Sequence, residues 1–247
     1  YLQSNSANTE GTGSLSRFFD FNDGVMSSFG SAASYLIYSF RRAPGFFDIV
    51  AYTGSSSAQE ISHNLGVAPE LILQKCRTQG SYPWNSWYAG LTNSQYVNLN
   101  TNAQISSSSN LWGTNATVAT DSVFRTGSGN TGVDGGTSDT HIAYLFASAE
   151  GISKIGTFTR TSGDTTNVDC GFSNGARFVV FKRVSGGTGN WAVYDTVRGI
   201  VAGNDPYFFL NSNSSQITNT DYIDPYSAGF TVASGIATGT FLFLAIA

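Results

Sequence analysis

Short apolar runs separated by polar turns are the main pattern along this chain. Near-continuous apolar runs lie at 71–73 and 178–181, and longer ones lie at 141–146 and 241–246. Runs of this length, bounded by Gly, Ser, Thr and Asn, are typical of strands buried on both faces. The pattern therefore predicts many short strands joined by polar turns.

The apolar runs recur in the same order, which indicates internal repeats. Asp48–Thr53 is matched by Lys154–Thr159, and Glu70–Lys75 is matched by Arg177–Lys182. In both copies a strand containing Trp follows after a short turn. These matches define the front half of a repeating unit.

The back half of the unit occurs once more than the front half. It consists of a segment that begins with Tyr, a short apolar strand and a terminal apolar run. The matched segments are 1–5, 96–100 and 207–211, then 24–26, 122–124 and 229–232, then 35–40, 141–146 and 241–246. We therefore predict that 1–44 is the back half of a β unit whose front half is missing, and that 45–149 and 150–247 are two copies of one β-sandwich repeat.

Composition supports an all-β fold. Charged residues make up 11% of the chain, against about 25% in an ordinary soluble domain. Helices take their exposed faces largely from Lys, Glu, Gln and Arg, whereas this chain is rich in Ser, Thr, Asn, Gly and aromatic residues. The expected architecture is a series of tandem β-sandwich or small-barrel domains with long Gly-, Ser- and Asn-rich loops.

Charge and hydropathy exclude two classes of partner. The formal net charge is -4, so the chain lacks the basic surface that neutralises nucleic-acid phosphates. No apolar run approaches the ~20 residues of a membrane helix, so we expect no membrane insertion. Cys76 and Cys170 have neither metal-ligand spacing nor a disulfide framework around them. Two cysteines fit assembly in a reducing compartment.

The two histidines are not repeated between the units. His63 corresponds to a stretch without histidine in the second copy, and His141 opens a terminal run whose counterparts begin with Tyr35 and Phe241. No second His or Cys lies at zinc spacing to either. Structural roles are therefore expected for both, and we predict no catalytic residue, bound cofactor or metal.

Pairs of acidic residues are the alternative source of chemistry. They are Asp20 and Asp23, Asp134 and Asp139, and Asp221 and Asp224. All lie in contexts typical of turns, where Asp bonds its own backbone. Two alternatives stay open: part of a calcium shell at Asp20, Asn22 and Asp23, and a carboxylate pair for glycoside hydrolysis.

Loops supply the remaining candidates. The Gly-rich run 126–136 lacks the Lys-Ser/Thr and the helix of a phosphate loop, so we interpret it as a long mobile surface loop that is free to contact a partner. Aromatic residues cluster near Pro83 and Pro225, where they are available for ligand or interface contacts. These candidates are Tyr82, Trp84, Trp87, Tyr88, Tyr222 and Tyr226.

Several phrases of the sequence resemble tandem β domains of virion proteins from tailed bacteriophages, many of them from marine and cyanobacterial phages and labelled tail or fibre proteins. The phrases are 61–72, 151–156, 169–172, 175–179 and 203–206. The closing Phe-Leu-Ala-Ile-Ala is similar to the C-terminus of such proteins. The resemblance spans nearly the whole chain, and most closely 46–75 and 150–247.

The resemblance implies a non-enzymatic virion structural protein, the C-terminal part of a tail fibre or spike. Its expected task is host attachment by receptor binding, through loops that contact a host cell-surface glycan or protein. Such appendages are commonly homotrimers, assembled in the host cytoplasm with other virion proteins. The alternatives are a capsid decoration or head-fibre protein with a structural role, and a glycan depolymerase.

Overall fold

The protein is described here by a computed structural model that covers residues 2–11, 38–109, 111–128 and 132–247. Within these residues the fold is all-β, as predicted, and contains no helix. The strands are β1 Phe47–Thr53, β2 Gln59–Ser62, β3 Leu71–Cys76, β4 Asn85–Tyr88, β5 Gln95–Asn98, β6 Ser106–Ser107, β7 Val123–Thr126, β8 Thr140–Phe146, β9 Ser153–Arg160, β10 Thr166–Asp169, β11 Phe178–Ser185, β12 Trp191–Asp195, β13 Phe208–Phe209, β14 Ile223–Tyr226, β15 Gly229–Val232 and β16 Gly239–Ile246.

Two large antiparallel sheets organise the fold. The first large sheet has the strand order β1-β8-β3-β4-β5-β6, and the second large sheet has the order β9-β16-β11-β12-β13. A small sheet accompanies each: β2-β7 beside the first and β10-β15-β14 beside the second. The described strands form no closed barrel, so the arrangement is of the β-sandwich type.

Corresponding strands hold the same place in the two large sheets. Leu71 in β3 pairs with Phe146 in β8, and its counterpart Phe178 in β11 pairs with Ile246 in β16. The strand order agrees with the sequence matches. The boundaries at 44/45 and 149/150 stay a prediction, because one hydrophobic cluster runs across both halves of the chain.

Alternation of side chains gives each large sheet two buried faces. The inner faces, which carry Leu71 and Phe146 on one sheet and Val180 and Leu244 on the other, contribute to one cluster. The outer faces pack against the small sheets. In the second half, for example, the Phe230 ring of β15 lies 5.5 Å from the Phe243 ring of β16. The result is a stack of layers in which the two large sheets are central.

The N-terminal part of the chain packs onto both large sheets. The Phe40 ring lies 5.6 Å from Phe146 and 6.1 Å from Phe178. Tyr38 lies 4.8 Å from the Phe178 ring in an edge-on contact. The predicted strand at 24–26 and the first half of the run 35–40 lie outside the described residues. The described part of 1–44 therefore leans on both halves of the chain.

Candidate functional site

Two tryptophans make the same contact at two places, and we call each place a seam. Trp84 Nε1 donates to the Gln3 carbonyl at 2.9 Å, and Trp191 Nε1 donates to the Asn98 carbonyl at 2.9 Å. Gln3 and Asn98 hold the same position in the matched segments that begin with Tyr1 and Tyr96. The segment of one repeat thus binds the Trp strand of the next.

Backbone bonds extend both seams in register. The Glu10 amide donates to the Arg77 carbonyl at 2.8 Å, and the Ile105 amide donates to the Val184 carbonyl at 3.2 Å. These four residues are pairwise counterparts in the repeat. Each seam is therefore the edge of one repeat laid along β3 or β11 of the next, and the chain repeats the arrangement.

A buried lysine completes each seam. Lys75 Nζ donates to the Ala7 carbonyl and Lys182 Nζ donates to the Thr101 carbonyl, both at 3.2 Å. Both side chains are fully buried. Burial lowers the pKa of Lys182 to about 8, and burial likewise lowers the pKa of Lys75. The sequence matches made these lysines counterparts but predicted no role for them. The available signal was the alternation of side chains along β3 and β11, which turns both lysines inward.

The aromatic candidates near Pro83 are not exposed loop residues, which corrects the sequence interpretation. Trp84 lies at the first seam, and Trp87 and Tyr88 belong to β4. All three are buried. The strand β4 lies inside the first large sheet between β3 and β5, so both of its edges are paired, and all four of its residues are buried. Tyr82, which precedes the strand, is half-buried.

The candidates near Pro225 lie apart from that cluster. Tyr226 is in β14, and Tyr222 directly precedes that strand. Tyr222 is half-buried and lies 5.6 Å from the ring of Tyr207. The structure therefore brings only Tyr222 of the predicted set to an aromatic cavity of the second half, whereas Tyr226 lines a different depression with Ser173.

That cavity, the aromatic pocket, has a volume of about 270 Å³. Rings of the outer face form its floor: Tyr194 stacks on Phe181 at 5.3 Å and on Tyr207 at 5.1 Å. Further lining comes from Phe209, Phe241, Tyr222, Gly235, Ile236, Arg183, Thr188 and Asn190. The sequence did not point to this floor, because its rings come from β11, β12 and the segment near β13.

The corresponding place in the first half is filled. The loop between β7 and β8 runs from 127 to 139, and its described part is largely buried, which corrects its interpretation as a mobile surface loop. Tyr52 Oη donates to the Val133 carbonyl at 2.6 Å, and His141 Nε2 lies 3.0 Å from the Asp134 carbonyl. Buried polar side chains thus hold the loop against the outer face.

Both histidines have structural surroundings. His141 Nδ1 lies 2.8 Å from Gln74 Nε2, and His63 Nε2 lies 3.2 Å from the Thr120 carbonyl. Burial lowers the pKa of each. Among the described residues no group of three His, Cys, Asp or Glu side chains is placed to hold a metal ion. The calcium alternative at Asp20, Asn22 and Asp23 lies outside the described residues.

Asp134 and Asp139, one of the three acidic pairs, accept hydrogen bonds within the first half. Asp134 Oδ1 accepts from Gln59 Nε2 at 2.7 Å, and Asp139 Oδ2 accepts from the Gly136 amide at 2.8 Å. The Gly136 amide holds the pKa of Asp139 below its ordinary value, although burial opposes this. The Asp139 bond is a turn-forming contact of the kind expected for Asp in loops, whereas Asp134 ties the loop to β2.

An apolar groove of about 610 Å³ opens beside the first seam. Its lining comes from the N-terminal part and the inner face of the first large sheet, namely Tyr38, Ser39, Phe40, Phe47, Ile49, Leu73, Trp84, Leu99, Tyr144 and Phe146. We call this the inner groove.

Within the described ranges, no helix is long and apolar enough to span a bilayer.

These features define an all-β protein of interlocked repeats, in which each repeat lends its edge segment to the next. A family model matches residues 3–247, so the chain belongs to the DUF7483 family, a domain of unknown function. The match covers both large sheets and the described part of the N-terminal segment. No curated protein and no solved structure matches the chain.

Proposed function

We propose that the chain is a structural and attachment protein of a bacteriophage virion, part of a tail fibre or spike that binds the host surface without turning a substrate over. The observation that carries the proposal is the repeated seam. A contact that recurs in register between successive repeats locks short units into one stiff body, and stiffness is what an appendage on a particle requires.

The ionisable groups support binding rather than catalysis. Acid–base chemistry needs titratable groups that face a cleft with pKa values tuned for proton transfer. Here Lys75 and Lys182 donate to backbone carbonyls, and Asp134 and His141 hold the loop between β7 and β8 in place. The aromatic pocket and the inner groove are lined mainly by rings and aliphatic side chains, which suit contact with a ligand face.

Self-association as a homotrimer belongs to the same proposal. Several weak sites on one oligomer act together, so an appendage gains avidity from each added copy. Native mass spectrometry of the purified chain measures this directly. A trimer is the expected result, and a monomer at all concentrations removes the trimer from the proposal.

Localisation and attachment are tested on the phage that encodes the chain. Immunogold labelling with an antibody against the purified protein is expected to mark the tail or its fibres. Label on the head favours the alternative of a capsid decoration or head fibre, and particles without label contradict a virion protein. Purified chain added in excess to host cells is expected to slow adsorption of the phage, since both compete for one receptor.

The depolymerase alternative has its own test. The chain is incubated with host capsule or lipopolysaccharide, and released oligosaccharides are measured by mass spectrometry. No release is expected. Release that is abolished by Asp221→Asn or Asp224→Asn, but not by Asp169→Asn as a matched surface control, would overturn the non-enzymatic reading.

A further inference from the structure

The aromatic pocket exists because the two halves of the chain close the same place differently. The connection between β7 and β8 runs from 127 to 139, whereas the corresponding connection between β15 and β16 runs only from 233 to 238. The short connection does not reach across the outer face. The floor of the pocket, Phe181 with Tyr194 and Tyr207, therefore remains open on one side.

The residues at this place also differ between the two halves, in a way that fits the difference in loop length. Register makes Gln74 the counterpart of Phe181, and His141 the counterpart of Phe241. In the first half these polar side chains hold a loop, and in the second they are replaced by rings. The half that has the long loop therefore carries polar side chains that bind it, and the half that lacks the loop carries aromatic rings at the same two positions.

The pocket combines a flat ring floor with polar groups on its exposed side. Thr188 is exposed, and half-buried Asn190 accepts from Asn211 Nδ2 through its own Oδ1 at 2.8 Å. The buried Tyr194 hydroxyl has no partner among the described residues. Carbon–hydrogen faces of a sugar stack on rings while its hydroxyls bond amides and hydroxyls. A few polar groups around an apolar floor are the usual composition of a small-ligand site.

We propose that the aromatic pocket binds one saccharide ring of a surface glycan, stacked on the floor beside Tyr222. The assignment rests on the proposed attachment function and gives it a place. The volume of about 270 Å³ holds one ring and not an extended chain. Individual binding is therefore weak, and attachment depends on several copies of the site.

The test uses the whole chain and a panel of methyl glycosides of glucose, galactose, mannose and N-acetylglucosamine. Saturation-transfer difference NMR detects weak binding to each, and titration gives the dissociation constant. Tyr222→Ala removes one wall and is expected to weaken binding about tenfold or more. Gly235→Val fills the pocket, since even a Cβ there lies 3.2 Å from the Tyr222 ring, and it is expected to abolish the signal.

Tyr226→Ala is the matched control, because Tyr226 lies in β14, which Tyr222 directly precedes, but lines another depression. It is expected to bind like the wild type. Absence of binding to every glycoside, or equal binding by the wild type, Tyr222→Ala and Gly235→Val, would overturn the assignment. The adsorption experiment above is independent: competition that survives Gly235→Val leaves attachment standing and overturns only this pocket as its site.

The inner groove carries an independent inference. Five of its lining residues, Tyr38, Phe40, Leu73, Leu99 and Phe146, also line the cavity between the two large sheets. The groove is thus a continuation of an interface that is closed on the side of the second large sheet. The strands that close that side are β11, β12 and β16, which carry Val180, Val193 and Leu244.

The segments that form the seams meet one another as well. Ser4 Oγ donates to the Leu210 carbonyl at 2.5 Å, and Tyr38 stacks at 6.3 Å on Phe208. Ser4 and Leu210 are counterparts in the matched segments. Three equivalent edge segments therefore lie together. Among the residues that the structure describes, two of them, 2–11 and 97–105, are bound along the Trp stretch of the next unit.

We infer that the inner groove receives the front half of a third unit, a polypeptide with the strand pattern of β9 to β12 whose inward Lys and Trp meet the segment at 208–211. Three units are then arranged around one apolar centre. The apolar lining of the groove matches the inner face of such strands, because the same lining already packs on Val180 and Val193.

The test adds that front half covalently. A copy of residues 151–206 is fused directly before Tyr1, because Tyr1 is the counterpart of Tyr207. The fusion is expected to raise the melting temperature of the whole chain. It is also expected to lower binding of the dye ANS, which reports exposed apolar surface, by at least about half.

The matched control is the same fusion in which the added copies of Val180 and Val193 are changed to Asp. It has the same length, but its inner face is charged, so it is expected to leave the dye signal and the melting temperature at the values of the unfused chain. Equal behaviour of the two fusions, or an apolar fusion that leaves dye binding unchanged, would overturn the inference.

Discussion

Lys182 Nζ lies over the indole ring of Trp191, 5.8 Å from its centroid. The two residues are direct cross-strand partners in β11 and β12. Lys75 in β3 and Trp84, which directly precedes β4, are their counterparts in the first half. In each seam the amine and the indole both donate to carbonyls of the preceding repeat. A cation and a ring side by side thus present their donors to a single backbone segment.

The buried amine predicts a pH dependence of stability. Burial lowers the pKa of Lys182 from 10.5 to about 8, so between these values the unfolded chain binds more protons than the folded chain. Stability therefore rises with pH through this window, and the cost of the buried charge is greatest below pH 8. The full effect is on the order of 3 kcal/mol.

Lys182→Met is the variant that isolates the contribution of Lys182 to the pH dependence of stability. Urea unfolding at pH 7.5 and pH 9.5 is expected to show a smaller rise in the free energy of unfolding for Lys182→Met than for the wild type. The range stops below pH 10 because burial raises the pKa of Tyr38 and Tyr194, whose ionisation acts in the opposite direction. An identical rise in both proteins would contradict a charged, buried Lys182.

Replacing a seam tryptophan is expected to destabilise the segment that it binds, and not the whole fold. Trp84→Phe removes the hydrogen bond to the Gln3 carbonyl. Because Gln3 is exposed and water can replace the donor, we expect a loss of about 0.5–1.5 kcal/mol. Hydrogen exchange in segment 2–11 is expected to speed up. Trp191→Phe is expected to have the same effect on 97–105.

Trp87→Phe is the matched control for both. Trp87 Nε1 donates to the Leu91 carbonyl within its own turn, so this variant loses the same ring atoms without touching a seam. It is expected to leave exchange in both segments unchanged. Equal loosening of 2–11 by Trp84→Phe and Trp87→Phe would show that the seam bond has no special role.

Tyr38 predicts that the N-terminal part stabilises the second half. Its hydroxyl donates to Asp195 Oδ2 at 2.5 Å, and Arg198 binds the same carboxylate at 2.7 Å. Tyr38→Phe is expected to lower the free energy of unfolding by about 1–2 kcal/mol. Tyr144→Phe is the control, because the Tyr144 hydroxyl bonds none of the residues that the structure describes. A larger loss from Tyr144→Phe would contradict the docking of residue 38.

Gly54 predicts how tightly the long loop is packed. A Cβ at Gly54 would lie 1.7 Å from the Asp134 carbonyl oxygen, so Gly54→Ala has to displace the loop. We expect a loss of roughly 3 kcal/mol or more in thermal or urea unfolding. Gly66→Ala has open space but a φ of +77°, and it is expected to cost only about 1 kcal/mol. Similar losses in the two variants would indicate that the loop yields easily.

The sequence by itself determined the strands and their repetition. Runs such as 71–73 and 178–181 are short, apolar and bounded by turn residues, so local chemistry is sufficient to predict them as buried strands. The order of the landmarks likewise made Lys75 the counterpart of Lys182. The periodicity of a strand is a local property, and for that reason it can be recognised in a single sequence.

Only the tertiary structure decided which surfaces meet. The sequence gives no sign that the inner faces of the two large sheets share one cluster, because a strand buried on both faces does not reveal what covers each face. Trp87 and Tyr88, near Pro83, look like loop aromatics until β4 is placed between β3 and β5. The pocket at Tyr194 depends on a difference in loop length across the sheet, and such long-range geometry exists only once the chain is folded.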